Sequence, residues 1–221
     1  MKKVYGLLLL VVMVIAVENV KAQVTTGVDL YSSYVWRGTQ YCGPSIQPYI
    51  GYTIGVFSIG TWGSAGFNGA DNKAGYMEMD LYTKYAFKFG LSLGLTDYYY
   101  PGTKFFDTSK ETGAHGLEVN LGYTLGGLSL AGNYIVNQAG GAATTGGDKY
   151  FEVGYAFKDF SLFAGGGDGW HTPDGKFGIV NVGIGSSKSI KLTDSFSIPV
   201  KGSIILNPTT EQFFIVVGIS L

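Results

Sequence analysis

The stretch from Tyr76 to Lys88, YMEMDLYTKYAFK, places an apolar side chain at nearly every second position. Met77 and Leu81, for example, alternate with Glu78 and Asp80. Successive side chains of a strand point to opposite faces, so the segment predicts a strand with one apolar and one largely charged face. Such a strand needs an apolar environment on one side and water or compensating charges on the other.

The composition favours lipid as that apolar environment. Charged residues make up 14% of the chain, against about 25% in ordinary globular proteins, and aromatic residues make up 15%. Beyond the N-terminal leader, no segment has the roughly 20 apolar residues that a membrane-spanning helix needs. A closed β-barrel is the other structure that satisfies every backbone group in lipid. The formal net charge of −1 provides no basic surface, and we therefore expect no nucleic-acid partner.

The N-terminus has the features of a signal peptide. Lys2 and Lys3 precede an apolar run over residues 7–17, and small or modest side chains precede Gln23. This order predicts cleavage before Gln23 and export of the mature chain. We therefore divide the chain into a signal peptide, residues 1–22, and an outer-membrane β-barrel, residues 23–221.

Alternating segments of about ten residues continue to the C-terminus and predict about twelve strands, the first running from about Thr25 to Arg37. Short turns follow strands two, four, six and eight, and longer loops follow the odd-numbered strands up to the ninth. Outer-membrane barrels sort their connections in this way. A long link near Lys188 and a short loop from Pro208 to Glu211 depart from the pattern. We predict an all-β, transmembrane, antiparallel up-and-down β-barrel of about twelve strands.

Aromatic residues concentrate near the predicted strand ends. Tyr34, Trp36 and the Tyr98–Tyr100 run are expected at the outer rim, and Phe157 and Phe160 at the inner rim. Two interfacial belts of aromatic side chains are typical of membrane barrels.

Five segments of the first half carry a family resemblance: DLYSSYVWRGTQ, PSIQPYIGY, TWGSAGF, EMDLYTKY and TDYYYPG. In this order they resemble the TorF-type porins, a bacterial outer-membrane family formerly described as conserved hypothetical. The second half resembles the family only by its pattern. The resemblance implies an outer-membrane barrel with porin activity. The terminal Leu221 departs from the aromatic ending of many such barrels, although FFIVVGISL otherwise fits an insertion signal for the barrel-assembly machinery.

Strand parity predicts a polar lumen. Either water fills it and the charges filter solutes, or the charges pair across the barrel and plug it. Arg37, near the predicted rim, is expected to attract anions or to pair structurally with a loop carbonyl. The residues predicted to line the channel are Asp29, Arg37, Gln47, Trp62, Glu78, Asp80, Lys84, Glu118, Asn120, Glu152 and Lys201.

These features favour a porin-like channel for passive diffusion of small hydrophilic solutes in a Gram-negative outer membrane, with membrane lipid as the other partner. A non-conducting structural or adhesive barrel is the alternative, and a lipid hydrolase is the weaker one. His115 and His171 are the only histidines, and neither lies in a nucleophile motif, so we expect no enzyme activity. His171 lies between Asp168 and Asp174 in a predicted loop and is expected to be solvated. No cofactor or metal is expected, and Cys42 is expected to be an incidental free thiol.

Overall fold

The computed structural model describes residues 22–67 and 75–221. They form a closed antiparallel barrel of twelve strands and a separate two-stranded sheet. The strands are β1 (Ala22–Tyr31), β2 (Tyr34–Trp36), β3 (Thr39–Cys42), β4 (Ser45–Ile54), β5 (Phe57–Gly66), β6 (Met77–Ala86), β7 (Leu91–Tyr99), β8 (His115–Leu125), β9 (Leu128–Ile135), β10 (Lys149–Ala156), β11 (Ser161–Gly167), β12 (Gly178–Lys191), β13 (Ser197–Asn207) and β14 (Gln212–Ser220).

The predicted fold class is confirmed. Each wall strand pairs with the next one along the chain, and β1 closes the ring by pairing with both β4 and β14. Asp29 stands opposite Gln47 on one side and Ser220 on the other. The predicted signal peptide lies outside the described residues, except for Ala22 at the start of β1. Within the described part of the chain, no helix has the length and apolar character to cross a membrane.

The two faces of the wall have the opposite burial from that of a soluble protein. In β6, Met77 and Leu81 are 52% and 46% exposed, whereas Glu78 and Asp80 are 5% and 8% exposed. Most apolar side chains of the wall point outward, because the alternation of the sequence follows the pleat, although a few, such as Ile205 and Val216, are buried inside. Many of the buried residues are therefore polar or charged, as in an outer-membrane barrel with a polar interior.

The connections alternate between short turns and longer loops more regularly than we predicted from the sequence. β12 continues to Lys191 and pairs with β13 as far as Ser197, so the predicted link near Lys188 is strand. The turn that follows is therefore short, like the other turns at that end of the barrel. We call this the short-turn end, and the opposite end the long-loop end. The loop from Pro208 to Glu211 remains the short connection at the long-loop end.

The predicted first strand is wrong in its second half. The wall strand β1 ends at Tyr31, and residues 34–42 form β2 and β3, which pair with each other and with no wall strand. We call these residues the inward hairpin, because Tyr34 is 7% exposed and Cys42 is fully buried. The chain leaves the wall at Ser32 and Ser33, crosses into the lumen and returns to begin β4.

The outer aromatic belt is correspondingly wrong at three positions. Tyr34 and Trp36 lie on the inward hairpin, and Tyr98, 6% exposed, points from β7 into the lumen. At the short-turn end, Phe157 and Phe160 stack with their ring centroids 4.6 Å apart and remain exposed, as an interfacial belt requires. The aromatic residues of the long-loop end therefore serve mainly to fill the lumen.

Candidate functional site: the lumen and its inward hairpin

An ion pair fixes the tip of the inward hairpin to the opposite wall. The Arg37 guanidinium donates to both carboxylate oxygens of Glu118 on β8, at 2.6 and 2.8 Å. The two side chains are 11% and 1% exposed. Paired hydrogen bonds of this kind are strong and directional, and removal of one partner of a buried pair costs about 3–5 kcal/mol. Arg37 therefore makes a structural pairing, with a carboxylate rather than the loop carbonyl that we expected.

Glu118 is the centre of a wider polar network. Its carboxylate also accepts hydrogen bonds from the Tyr98 hydroxyl at 2.9 Å and the Asn120 amide at 2.6 Å. Asn120 in turn bonds Thr96 on β7 and Asn133 on β9. The network connects three adjacent wall strands to the hairpin and compensates the buried carboxylate.

Two more contacts hold the hairpin in place. The side-chain amide of Asn207, at the end of β13, donates to the Gly38 carbonyl at 3.0 Å. The Arg37 guanidinium lies 4.2 Å above the Trp36 ring and 4.5 Å from the Tyr150 ring on β10. The hairpin tip is thus held from several sides of the barrel.

His171 is buried beside the hairpin rather than solvated as predicted. It is 6% exposed and lies in the loop between β11 and β12. Its Nε2 accepts a hydrogen bond from the Trp170 indole at 2.8 Å and lies 3.4 Å from Arg37. Burial and the neighbouring Arg37 lower the pKa of His171 to about 3. The ring is therefore neutral at neutral pH and acts as an acceptor.

The half of the lumen toward the short-turn end is open. Its inward residues are mostly small, as at Ser161, Gly185 and Ser203, and these three line part of a cavity of about 490 Å³. Lys201 also lines it and reaches Asp29 at 3.1 Å. The Lys201 and Asp29 side chains are 44% and 16% exposed, so the pair faces a solvent-accessible part of the lumen and contributes little to stability.

The remaining predicted lining residues have inward parity but different surroundings. Gln47 is buried and bonds Ser45, and the Trp62 ring packs 5.4 Å from the Tyr34 ring. Lys84 is exposed at the short-turn end of β6. Glu152 accepts a hydrogen bond from Asn181 at 2.9 Å.

Glu78 and Asp80 form an acidic pair on the inward face of β6. Glu78 accepts a hydrogen bond from the Tyr76 hydroxyl at 3.1 Å. Asp80 faces a cavity of about 290 Å³ beneath the inward hairpin, and one of its oxygens has no hydrogen-bond partner among the described residues.

The sequence analysis missed Tyr98, Tyr150 and His171 as lumen residues. Parity places Tyr98 and Tyr150 on inward faces, but the aromatic run that contains Tyr98 favoured an interfacial position for that residue. For His171 the sequence carries no such signal, because its burial depends on the hairpin from a distant part of the chain.

His115 lies on the outward face of β8 and pairs with Asp97 of β7. Its Nδ1 is 2.9 Å from the Asp97 carboxylate, and its Nε2 is 2.5 Å from the Phe105 carbonyl oxygen. Both ring nitrogens therefore face acceptors. Across residues 22–67 and 75–221, no group of three metal-ligating side chains comes together.

Comparisons with known proteins give the family. The model of a family described as a bacterial protein of unknown function (Gcw_chp) matches residues 17–183, and the chain belongs to this family. No curated protein matches the chain. The chain is similar to the solved structure of outer membrane phospholipase A from Escherichia coli, with 13% identity, a TM-score of 0.45 and 89% of each chain covered. A likeness of this degree carries no argument about activity.

Proposed function

We propose that the protein is an outer-membrane channel for passive diffusion of small hydrophilic solutes, narrowed by its inward hairpin. The observation that carries the proposal is the division of the lumen into a wet half with small side chains and a constricted half. Folded-in loops and rings of charged side chains are the means by which barrels select solutes. Export, insertion by the barrel-assembly machinery and membership of the TorF-type porins belong to the same proposal, and the hairpin contains the motif YVWRG on which that resemblance partly rests.

A non-conducting barrel is the second candidate, because the hairpin is firmly held. The bidentate pair of Arg37 with Glu118 and the hydrogen bond from Asn207 to Gly38 join it to the opposite wall. A permanently closed lumen would leave the barrel a structural or adhesive role.

We propose no catalytic role. A lipid hydrolase of the serine type needs a histidine nitrogen that accepts the proton of a hydroxyl nucleophile. His115 Nε2 faces a carbonyl oxygen, and His171 Nε2 accepts from an indole. Neither histidine bonds a serine or threonine hydroxyl within the described parts of the chain.

Single-channel recording in planar bilayers tests the proposal. We expect discrete conductance steps from the refolded protein, and steps several-fold larger when residues 33–43 are replaced by a short Gly/Ser linker. The linker is feasible because Tyr31 and Ser45 are directly paired neighbours in the wall. The control variant shortens the exposed loop at residues 104–112 and is expected to conduct like the wild type.

The outcomes separate the two candidates. If both the wild type and the hairpin-replaced barrel are silent, although heat-modifiable gel migration shows them folded, the channel proposal is wrong. Silence of the wild type with conductance of the hairpin-replaced barrel supports the non-conducting barrel.

A further inference from the structure

The cavity beneath the inward hairpin is surrounded by aromatic rings. Tyr34 and Trp36 face it from the hairpin, and Trp62, Tyr82 and Tyr98 face it from β5, β6 and β7. The Tyr34 and Trp62 centroids are 5.4 Å apart, as are those of Trp36 and Tyr98. At about 290 Å³ the cavity is at the small end of ligand sites, which are typically about 300–1,000 Å³.

One carboxylate faces this aromatic cavity without compensation. Asp80 is 8% exposed, lines the cavity, and its Oδ1 has no hydrogen-bond partner among the described residues. Buried polar groups normally have partners, and an exception calls for an explanation. A carboxylate is the most costly group to leave in this state.

The surrounding charges do not supply the missing partner. Arg37 is the single arginine of the sequence, and Glu118 occupies its guanidinium through both carboxylate oxygens. Glu78, the next inward residue of β6, adds a second acid, which is 5% exposed. No lysine, arginine or histidine forms an ion pair with Asp80 in residues 22–67 and 75–221. The cavity therefore presents an acidic side chain with a second acid next to it on β6, and no cationic side chain of the described residues lines it.

We propose that this cavity binds a small organic cation, such as a quaternary ammonium ion, with Asp80 as its counter-ion. Aromatic faces attract cations through their quadrupoles, and aromatic cages recognise methylated ammonium groups in this way. An anion is disfavoured by the two acids. A hard metal cation prefers six or more oxygen ligands, whereas this cavity offers mostly ring faces.

A glycine of the neighbouring strand supports the cage. A side chain on Gly60 of β5 would collide with the ring and hydroxyl of Tyr82 and with the Ile50 carbonyl of β4, so the Tyr82 ring lies across the bare backbone at this point. Gly60 therefore positions one wall of the cavity, and its substitution offers a way to disturb the cage without altering a ring or a charge.

Binding of the cation requires only the folded barrel, so it can be tested whether or not the barrel conducts. Transport of the cation as a solute rests on the proposed channel function. The test is calorimetric titration of the detergent-refolded full chain with choline and with 3,3-dimethylbutan-1-ol, its neutral isostere. We expect saturable binding of choline, and binding of the isostere weaker by on the order of tenfold or more, since the charge supplies much of the attraction.

Variants assign the site. Asp80→Asn removes the charge with little change of shape and is expected to weaken choline binding on the order of tenfold, and Trp62→Leu is expected to do the same by removing a ring. The control is Glu152→Gln, which removes an inward carboxylate four strands away around the barrel and is expected to leave binding unchanged. If Asp80→Asn fails to fold, Trp62→Leu and Gly60→Ala carry the test.

The proposal is overturned if folded wild-type protein binds neither compound, or binds both equally. It is also overturned if Glu152→Gln weakens choline binding as much as the cavity variants do. Conductance in potassium chloride is measured separately on the same preparation. Choline binding without conductance would reject the channel and keep the site, and conductance without choline binding would reject the site and keep the channel.

Discussion

At the scale of single residues, His171 is the group whose state matters most for the hairpin. Its Nε2 accepts a hydrogen bond from the Trp170 indole N–H, and Nη1 of Arg37 lies 3.4 Å from the same nitrogen. Protonation of that nitrogen would remove the acceptor and place a second cation beside Arg37. This is why burial and Arg37 together lower the pKa of His171 to about 3.

Acid should therefore loosen the hairpin. The unfolded pKa of histidine is about 6.5, above the folded value of about 3, so the unfolded state binds more protons between these pH values. The stabilisation by neutral His171 is complete above about pH 6.5, and we expect a loss on the order of a few kcal/mol by about pH 4. Tryptophan fluorescence during acid titration measures it, because Trp36 and Trp170 pack at the hairpin.

The matched variant is His171→Gln, whose side-chain carbonyl keeps an acceptor for Trp170 without titrating in this range. We expect its fluorescence change to be shallower between pH 6.5 and 4 than that of the wild type. Carboxylates titrate in both proteins, so the difference between the two curves reports His171. Identical curves would contradict the assignment.

At the scale of elements, the inward hairpin depends on its two-residue turn. Arg37 and Gly38 have φ values of 49° and 76°, between the paired residues Trp36 and Thr39. Positive φ at both central positions fits the turn type that matches the twist of a tight hairpin. Few residues other than Asn, Asp and Gly adopt such φ values readily, so the contacts of the Arg37 side chain with the wall help to hold this conformation.

Besides its positive φ, Gly38 is required because the position has no room for a side chain. A Cβ at this position would collide with the Val180 carbonyl of β12. Gly38→Val should therefore displace the hairpin tip, lower stability by about 1–3 kcal/mol and raise conductance toward that of the hairpin-replaced barrel. The measurements are denaturant unfolding and single-channel recording.

Gly175→Val is the control for backbone strain alone. Gly175 has a similar φ of 70°, but no neighbouring atom lies within 4 Å of the position that a Cβ would take there. We expect this variant to lose some stability through strain and to conduct like the wild type. Equal conductance of the two variants would mean that contact between the hairpin tip and β12 does not restrict the lumen.

The wall strands could be predicted from the sequence because each one carries its own alternation and its own turn. The hairpin could not, because Tyr34 and Trp36 continue the alternation of β1 and have the aromatic character of a membrane belt. The usable signal was the pair Ser32 and Ser33, followed by an Arg-Gly turn between short aromatic runs. Alternation also failed at the end of β12, where polar side chains on both faces concealed a strand that extends to Lys191.

The candidate site depends on distances in space that one sequence does not encode. Arg37 and Glu118 are 81 positions apart, and Arg37 lies in the turn of the inward hairpin rather than in a wall strand. The alternation of their segments indicated that the Arg37 and Glu118 side chains point inward. Whether such inward charges pair with each other or face water depends on the path of the hairpin, which the sequence did not reveal. The structure contains both arrangements, one in each half of the barrel.

At the scale of the whole molecule, the proposal that the barrel spans a membrane depends on what surrounds its outward face. On β8 the outward Leu121 is 48% exposed, and its cross-strand neighbours are Leu93 and Gly132. In water, a charged residue at such a position would be harmless or helpful. In lipid, an arginine near the bilayer midplane costs about 2–4 kcal/mol.

Leu121→Arg therefore distinguishes the two environments. We expect it to destabilise the barrel folded in lipid vesicles by about 2–4 kcal/mol, measured by reversible denaturant unfolding. Thr124→Arg is the matched control on the same strand, because position 124 faces the open half of the lumen and is exposed there. It should change stability by less than about 1 kcal/mol. Equal effects of the two substitutions would contradict a lipid-facing wall. If the wall faces lipid, only the side chain at position 121 moves from water into hydrocarbon when the barrel folds, and the side chain at position 124 stays in water.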